Sequence, residues 1–133
     1  METVLNEKGV ELIQGSIYQL EPRIGSRPKK NFHYCGEKNR WGQRYNVRNC
    51  FFEPTSNPNQ DWINSCLCQI QTAFRWKKPA IIGSHRVNYI GNIDVSNRDV
   101  NILQLKELLT TIVKKWADVE FVSSDKLLDI MNR

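Results

Sequence analysis

His85 and Arg86 follow the apolar tripeptide Ala80-Ile81-Ile82 and the pivot Gly83, and they are the sharpest chemical feature of the chain. A histidine leaving a buried strand is anchored on one side and open on the other, as general acid or base catalysis requires. Arg86 beside it offers a guanidinium to clamp an anion or meet developing negative charge. Glu53 ends the run Phe51-Phe52 in the same way and is the carboxylate best placed to partner His85. His85 and Glu53 are therefore the catalytic candidates, with Arg86, Asn88, Arg48 and Asn49 as substrate contacts around them. The plainer readings are a histidine that caps its strand, and a glutamate that enters a helix or pairs with Arg48. Arg48 and Asn49 alternate along their strand, so only one of them faces the interior.

A second constellation lies in residues 16–46, where Phe32, Tyr34, Trp41 and Tyr45 are interleaved with Lys and Arg. Aromatic rings with polar neighbours stack on sugar rings, and basic-aromatic mixtures bind single-stranded nucleic acid. Trp41 and Tyr45 are the substrate-binding candidates here; the alternative is a loop that packs its rings and solvates its charges. Residues 23–48 carry eight cations against the single acid Glu37, a balance of +7, so the net charge of +5 leaves −2 for the rest. Nucleic acid is not the expected partner, because no nucleic-acid-binding motif accompanies the charge. Phosphate loops, dinucleotide fingerprints and serine nucleophile elbows are also absent from the sequence.

The four cysteines do not pair in a disulfide pattern, and Cys66 and Cys68 point to different faces of one helix. His33 with Cys35 is the one close ligand pair, and no second pair completes a zinc site. Reduced thiols in a reducing compartment follow.

The elements that must carry these residues alternate. Residues 1–8 read as the end of a helix stopped by Gly9. Short apolar runs at Val10–Ile13, Val47–Phe52, Ala80–Ile82 and Val119–Val122 read as strands. Asn57-Pro58 can cap a helix with Asp61 in its first turn and a stripe of Trp62, Ile63, Cys66, Leu67, Ile70, Ala73 and Phe74. Ser96-Asn97-Arg98-Asp99 resembles a capping box before a second amphipathic helix, and Ser123 opens a short last one. Residues 16–46 show no period and read as one long loop. The expected fold class is α/β, a partial (β/α) barrel of mostly parallel strands with outer helices, over 1–133 as a single segment. Ligands in such sheets bind beyond the carboxyl ends of the strands, where Glu53 and His85 stand.

Arg48-Asn49-Cys50-Phe51-Phe52-Glu53-Pro54, the run from Trp76 through His85-Arg86-Val87-Asn88-Tyr89 to Gly91, and the segment Trp116–Leu127 resemble the C-terminal part of bacterial polysaccharide deacetylase-like proteins. The resemblance implies a deformed (β/α) barrel that hydrolyses an acetamide or related bond of a glycan. His85 would correspond to the family's late histidine, a general acid. It also implies a divalent metal, held by an early Asp pair and a His-x-x-x-His motif. Neither motif is present, and the two histidines, His33 and His85, are fifty-two residues apart. No cofactor is thus identifiable in these residues, and any metal belongs to a more complete protein.

The expected function is that of a carbohydrate-active hydrolase fragment. Its partners would be a glycan and either a missing N-terminal half or a self-associating copy. The alternative is a non-catalytic module that binds an anionic polymer through residues 23–48. No membrane span or secretion signal is legible, so a cytoplasmic location is expected.

Overall fold

A computed structural model describes residues 2–92 and 94–132, leaving Met1, Ile93 and Arg133 outside the described residues. Helices and small sheets mix along the chain, as an α/β reading requires, but each sheet has two strands and no barrel is formed among the described residues. The expected single segment divides into two compact units, Cys50–Phe121 and a second made of Met1–Asn49 with Val122–Arg133.

The first unit in chain order opens with α1 (Glu2–Glu7), ended by Gly9 at φ +72°. Strand β1 (Leu12–Gly15) pairs in parallel with β4 (Arg44–Val47), Leu12 opposite Arg44 and Gly15 opposite Val47. Between them the expected loop is ordered. Strands β2 (Tyr18–Glu21) and β3 (Lys29–Phe32) form an antiparallel hairpin, Tyr18 opposite Phe32 and Glu21 opposite Lys29. Nearly every residue of this hairpin is exposed, so no hydrophobic alternation marks it in sequence. The core of this unit gathers Cys35, Tyr45, Val47 and Leu127, the last from α4 (Ser124–Met131).

The second unit is a strand–helix–strand element with a further helix. Strand β5 (Cys50–Phe51) pairs in parallel with β6 (Ile82–Gly83), and α2 (Trp62–Arg75) connects them. Helix α3 (Val95–Lys115) follows a 3₁₀ turn at Arg86–Tyr89. Cys50 and Phe52 from the strand side, Cys66, Leu67 and Ile70 from α2, and Leu108 and Ile112 from α3 form one buried cluster. Phe74 and Trp116 close its end edge to face, 5.2 Å between ring centres.

Several boundaries differ from the sequence reading, each for a local reason. The run Val47–Phe52 is two strands, since Arg48 is exposed and the chain passes from one unit to the other after Asn49. The cap of α2 is Asp61 rather than Asn57, its carboxylate accepting from the Asn64 amide at 2.9 Å. Helix α3 is capped by Asp94, which accepts from the amides of Ser96 and Asn97, so the expected capping box lies inside the helix. Val119–Val122 forms no strand: Val119 packs against the core, while Phe121 and Val122 are exposed and join no sheet among the described residues. Among the described residues, no helix is long and apolar enough to cross a membrane.

Candidate active site

Both catalytic candidates leave the same parallel pair. Phe52 donates its amide to Gly83 O at 3.0 Å, and Phe52 O accepts from Ser84 Oγ at 2.6 Å, so the strands stay in register to their ends. Glu53 and His85 then emerge side by side. The His85 backbone amide donates to Glu53 Oε1 at 3.0 Å, and its ring Nδ1 lies 2.7 Å from the same oxygen. A carboxylate only accepts, so the facing ring nitrogen carries the proton. Nε2 is the ring nitrogen that Glu53 leaves unengaged. The glutamate side chain is 15% exposed and the imidazole 71%, so the acid is sheltered and the ring reaches solvent.

Asn88 holds the glutamate from the other side. Its Nδ2 donates to Glu53 Oε2 at 2.9 Å and to His85 O at 2.8 Å, with Ser84 Oγ at 3.2 Å. Its Oδ1 accepts from the Thr55 amide at 3.1 Å. Asn88 is wholly buried, so where the sequence suggested a substrate contact, the structure shows a residue that positions Glu53 and the strand-end backbone. Behind it, Asn101 Nδ2 donates to Asn88 O and to Thr55 Oγ1, and Thr55 Oγ1 donates to Asn97 Oδ1. Helix α3 thereby braces the site with two amides one turn apart, Asn97 and Asn101. Two polar residues on the inner side of an amphipathic helix are the signal for them that the sequence carried.

Ser84 Oγ also shares a hydrogen bond with Tyr89 Oη at 2.7 Å. Burial raises the Tyr89 phenol above its ordinary range; the Ser84 bond lowers it in part, and the Glu53 charge raises it further. Arg86 begins the 3₁₀ turn with its side chain exposed and makes no hydrogen bond to Glu53, His85 or Asn88.

The remaining candidates belong to the other unit. Arg48 is exposed and Asn49 half-buried at its boundary. Tyr45, expected in a loop, is a buried residue of β4 stacked on His33, 3.9 Å between ring centres. Its hydroxyl donates to Glu2, and burial first, then Glu2, holds the phenol well above its usual range. His33 Nδ1 meets Glu37 Oε2 at 3.0 Å, four residues on in sequence. Trp41 is half-buried, with the Arg40 guanidinium 3.8 Å from its ring centre.

Among the described residues, no three His, Cys, Asp or Glu side chains converge as a metal site would need. Comparison of the chain with protein-family models, with curated proteins and with solved structures finds no match.

Proposed function

We propose that this chain carries the acid–base half of a carbohydrate-active hydrolase of the polysaccharide deacetylase-like kind, cleaving an acetamido or related bond of a glycan. The observation that supports it is the 2.7 Å contact between Glu53 Oε1 and His85 Nδ1. A carboxylate on one ring nitrogen fixes the tautomer and stabilises the imidazolium, leaving the other nitrogen to exchange a proton with substrate. In amide hydrolysis water adds to the carbonyl carbon as the neutral ring takes one of its protons on Nε2, and the imidazolium then gives that proton to the sugar nitrogen as the carbon–nitrogen bond breaks. The products are the free amine and the carboxylic acid, and the ring returns to the neutral form with its proton on Nδ1.

In this reading the strand–helix–strand element Cys50–Gly83 is part of a (β/α) barrel. The other strands, and any divalent metal, come from a further segment or a second copy. The test is acetate release from an N-acetylated oligosaccharide by the protein that contains this chain. His85→Ala should lower turnover by about 10²–10⁴, the usual contribution of one general acid. Turnover that survives the substitution would remove His85 from the chemistry.

A further inference from the structure

We propose that the cleft beside the β2–β3 hairpin is a saccharide-binding site built on Trp41, separate from the Glu53–His85 pair. The cleft has a volume of about 550 Å³, and Gln19, Glu21, Asn31, Glu2, Arg40 and Trp41 are among its walls. That size lies within the range of about 300–1,000 Å³ typical of small-ligand sites.

The hairpin register sets the chemistry of one wall. Gln19 pairs with Asn31 and Glu21 with Lys29, so these side chains share a face, while Tyr18, Leu20, Lys30 and Phe32 take the other. Asn31 Nδ2 donates to Glu21 Oε2 at 3.1 Å, which fixes the amide and leaves its second N–H and its carbonyl oxygen for a ligand. Planar amides and carboxylates in such a row can meet neighbouring hydroxyl groups of a sugar, donating to one and accepting from the next.

The indole supplies the apolar surface. Trp41 sits in a tight turn in which Asn39 Oδ1 accepts from the amides of Trp41 and Gln43, both at 3.0 Å. Asn39 Nδ2 donates to Gln43 Oε1 at 2.8 Å, and Gly42 at φ +83° lets the chain reverse. Arg40 covers one face of the ring. The turn holds the indole at the cleft wall before any ligand arrives, so little side-chain freedom is lost on binding. A sugar ring matches this combination, with axial C–H groups on the indole and hydroxyls on Gln19, Glu21 and Asn31. Glu2 and Glu21 outnumber Arg40 among the charged residues of these walls, so no positive excess selects phosphates and the ligand class is an uncharged glycan.

This inference does not rest on the hydrolase reading, because the cleft and the pair lie in different units. The test is an NMR titration of the ¹⁵N-labelled full chain with chitotetraose, with cellotetraose, and with an oligothymidylate as the polyanion. The tetrasaccharides should shift the Trp41 indole N–H and the Gln19 and Asn31 side-chain amides. Trp41→Ala should weaken that binding about tenfold or more, as loss of one aromatic anchor does, while Trp41→Tyr keeps most of it. If Trp41→Ala unfolds, Asn31→Ala at the hairpin face provides the same comparison and should weaken binding severalfold. Shifts confined to residues around Glu53 and His85, no shift with either sugar, or salt-sensitive shifts with the oligothymidylate alone would each overturn the proposal.

Discussion

Glu53 Oε1 takes two bonds from one residue, the His85 backbone amide at 3.0 Å and the His85 ring at 2.7 Å, while Glu53 Oε2 faces Asn88. One carboxylate therefore fixes both where the histidine backbone stands and which ring nitrogen keeps a proton. The imidazole is 71% exposed and contributes little packing, whereas Glu53 is 15% exposed and satisfies three donors. We predict that the two residues separate in their effects. His85→Ala should change unfolding free energy by no more than about 0.5 kcal/mol, as for other surface substitutions. Glu53→Ala should cost about 1–3 kcal/mol by leaving sheltered donors unpaired. Equal losses in urea unfolding would mean that the imidazole is a structural strut.

The tautomer can be read directly. With Glu53 in place, the neutral His85 ring should carry its proton on Nδ1, as long-range ¹⁵N–¹H correlation spectra report. In Glu53→Gln the backbone bond can persist, but the charge is gone, and the ring should revert toward the mixture of a free imidazole. A spectrum in which Nε2 carries the proton in the unmodified protein would contradict the assignment and the acid–base role built on it.

Asn88→Ala should be more damaging than its single-residue size suggests. The substitution strips Glu53 Oε2, His85 O and the Thr55 amide of their partner in a fully buried spot. A loss of about 1–3 kcal/mol is expected for one such orphaned group, and several are created together. Thermal melting should show a clear drop, and the His85 signal should lose its preferred tautomer. A variant as stable as the parent would mean that water replaces the amide without cost.

Alkaline pH should weaken the Cys50–Phe121 unit. Burial pushes the Cys50 thiol up to about 12, with Cys66 adding to the shift, and burial pushes Cys66 up to about 11. Thiols in the unfolded chain ionise near their ordinary value of about 8.5. Both pKa values are raised on folding, so this stability is complete below about 8.5 and is lost as pH climbs through the folded values. Denaturant midpoints measured between pH 7 and 10.5 should fall, and the double variant Cys50→Ala, Cys66→Ala should flatten the decline. The raised Tyr45 phenol adds a residual slope of the same sign from the other unit. A midpoint that rises with pH would refute the argument.

Lys77 is the one non-glycine residue with positive φ among the described residues, at +52°, in the reversal where Lys78 N donates to Ala73 O after α2. A side chain there costs about 1–2 kcal/mol relative to ordinary backbone, which glycine avoids at the expense of unfolded-state freedom. Lys77→Gly is thus predicted to raise the melting temperature slightly, and Lys77→Val to lower it. The opposite order would show that the reversal is set by something other than the backbone.

Glu53 and His85 were legible as neighbours because each follows a short apolar run and a break, Phe51-Phe52 before Glu53-Pro54 and Ile81-Ile82 before Gly83. The stripe of α2 was legible for the same reason, since burial leaves a period; that of α3 was legible only in part, because Leu105, Leu108, Ile112 and Trp116 reach the core while Ile102, Leu109 and Val113 are exposed. The hairpin was not, because Tyr18–Glu21 and Lys29–Phe32 are exposed on both faces and have nothing to alternate. Asn88 was noticed for its polarity, but its burial follows from Glu53, His85 and Thr55 closing around it, which no local pattern encodes. Val119–Val122 has strand composition without a neighbouring strand to pair with, and composition alone cannot supply one.

The unit made of Met1–Asn49 and Val122–Arg133 is closed by residues that follow the whole of Cys50–Phe121 in the chain. Ser124 Oγ accepts from Asn46 Nδ2, Asn132 Oδ1 accepts from Arg44 Nε, and Leu127 is buried. During synthesis the β1–β4 pair must therefore wait, partly uncovered, while residues 50–121 emerge and are free to collapse around Phe52 and Leu108. Residues 2–49 thus finish folding after the segment that follows them, and α4 is the piece for which they wait.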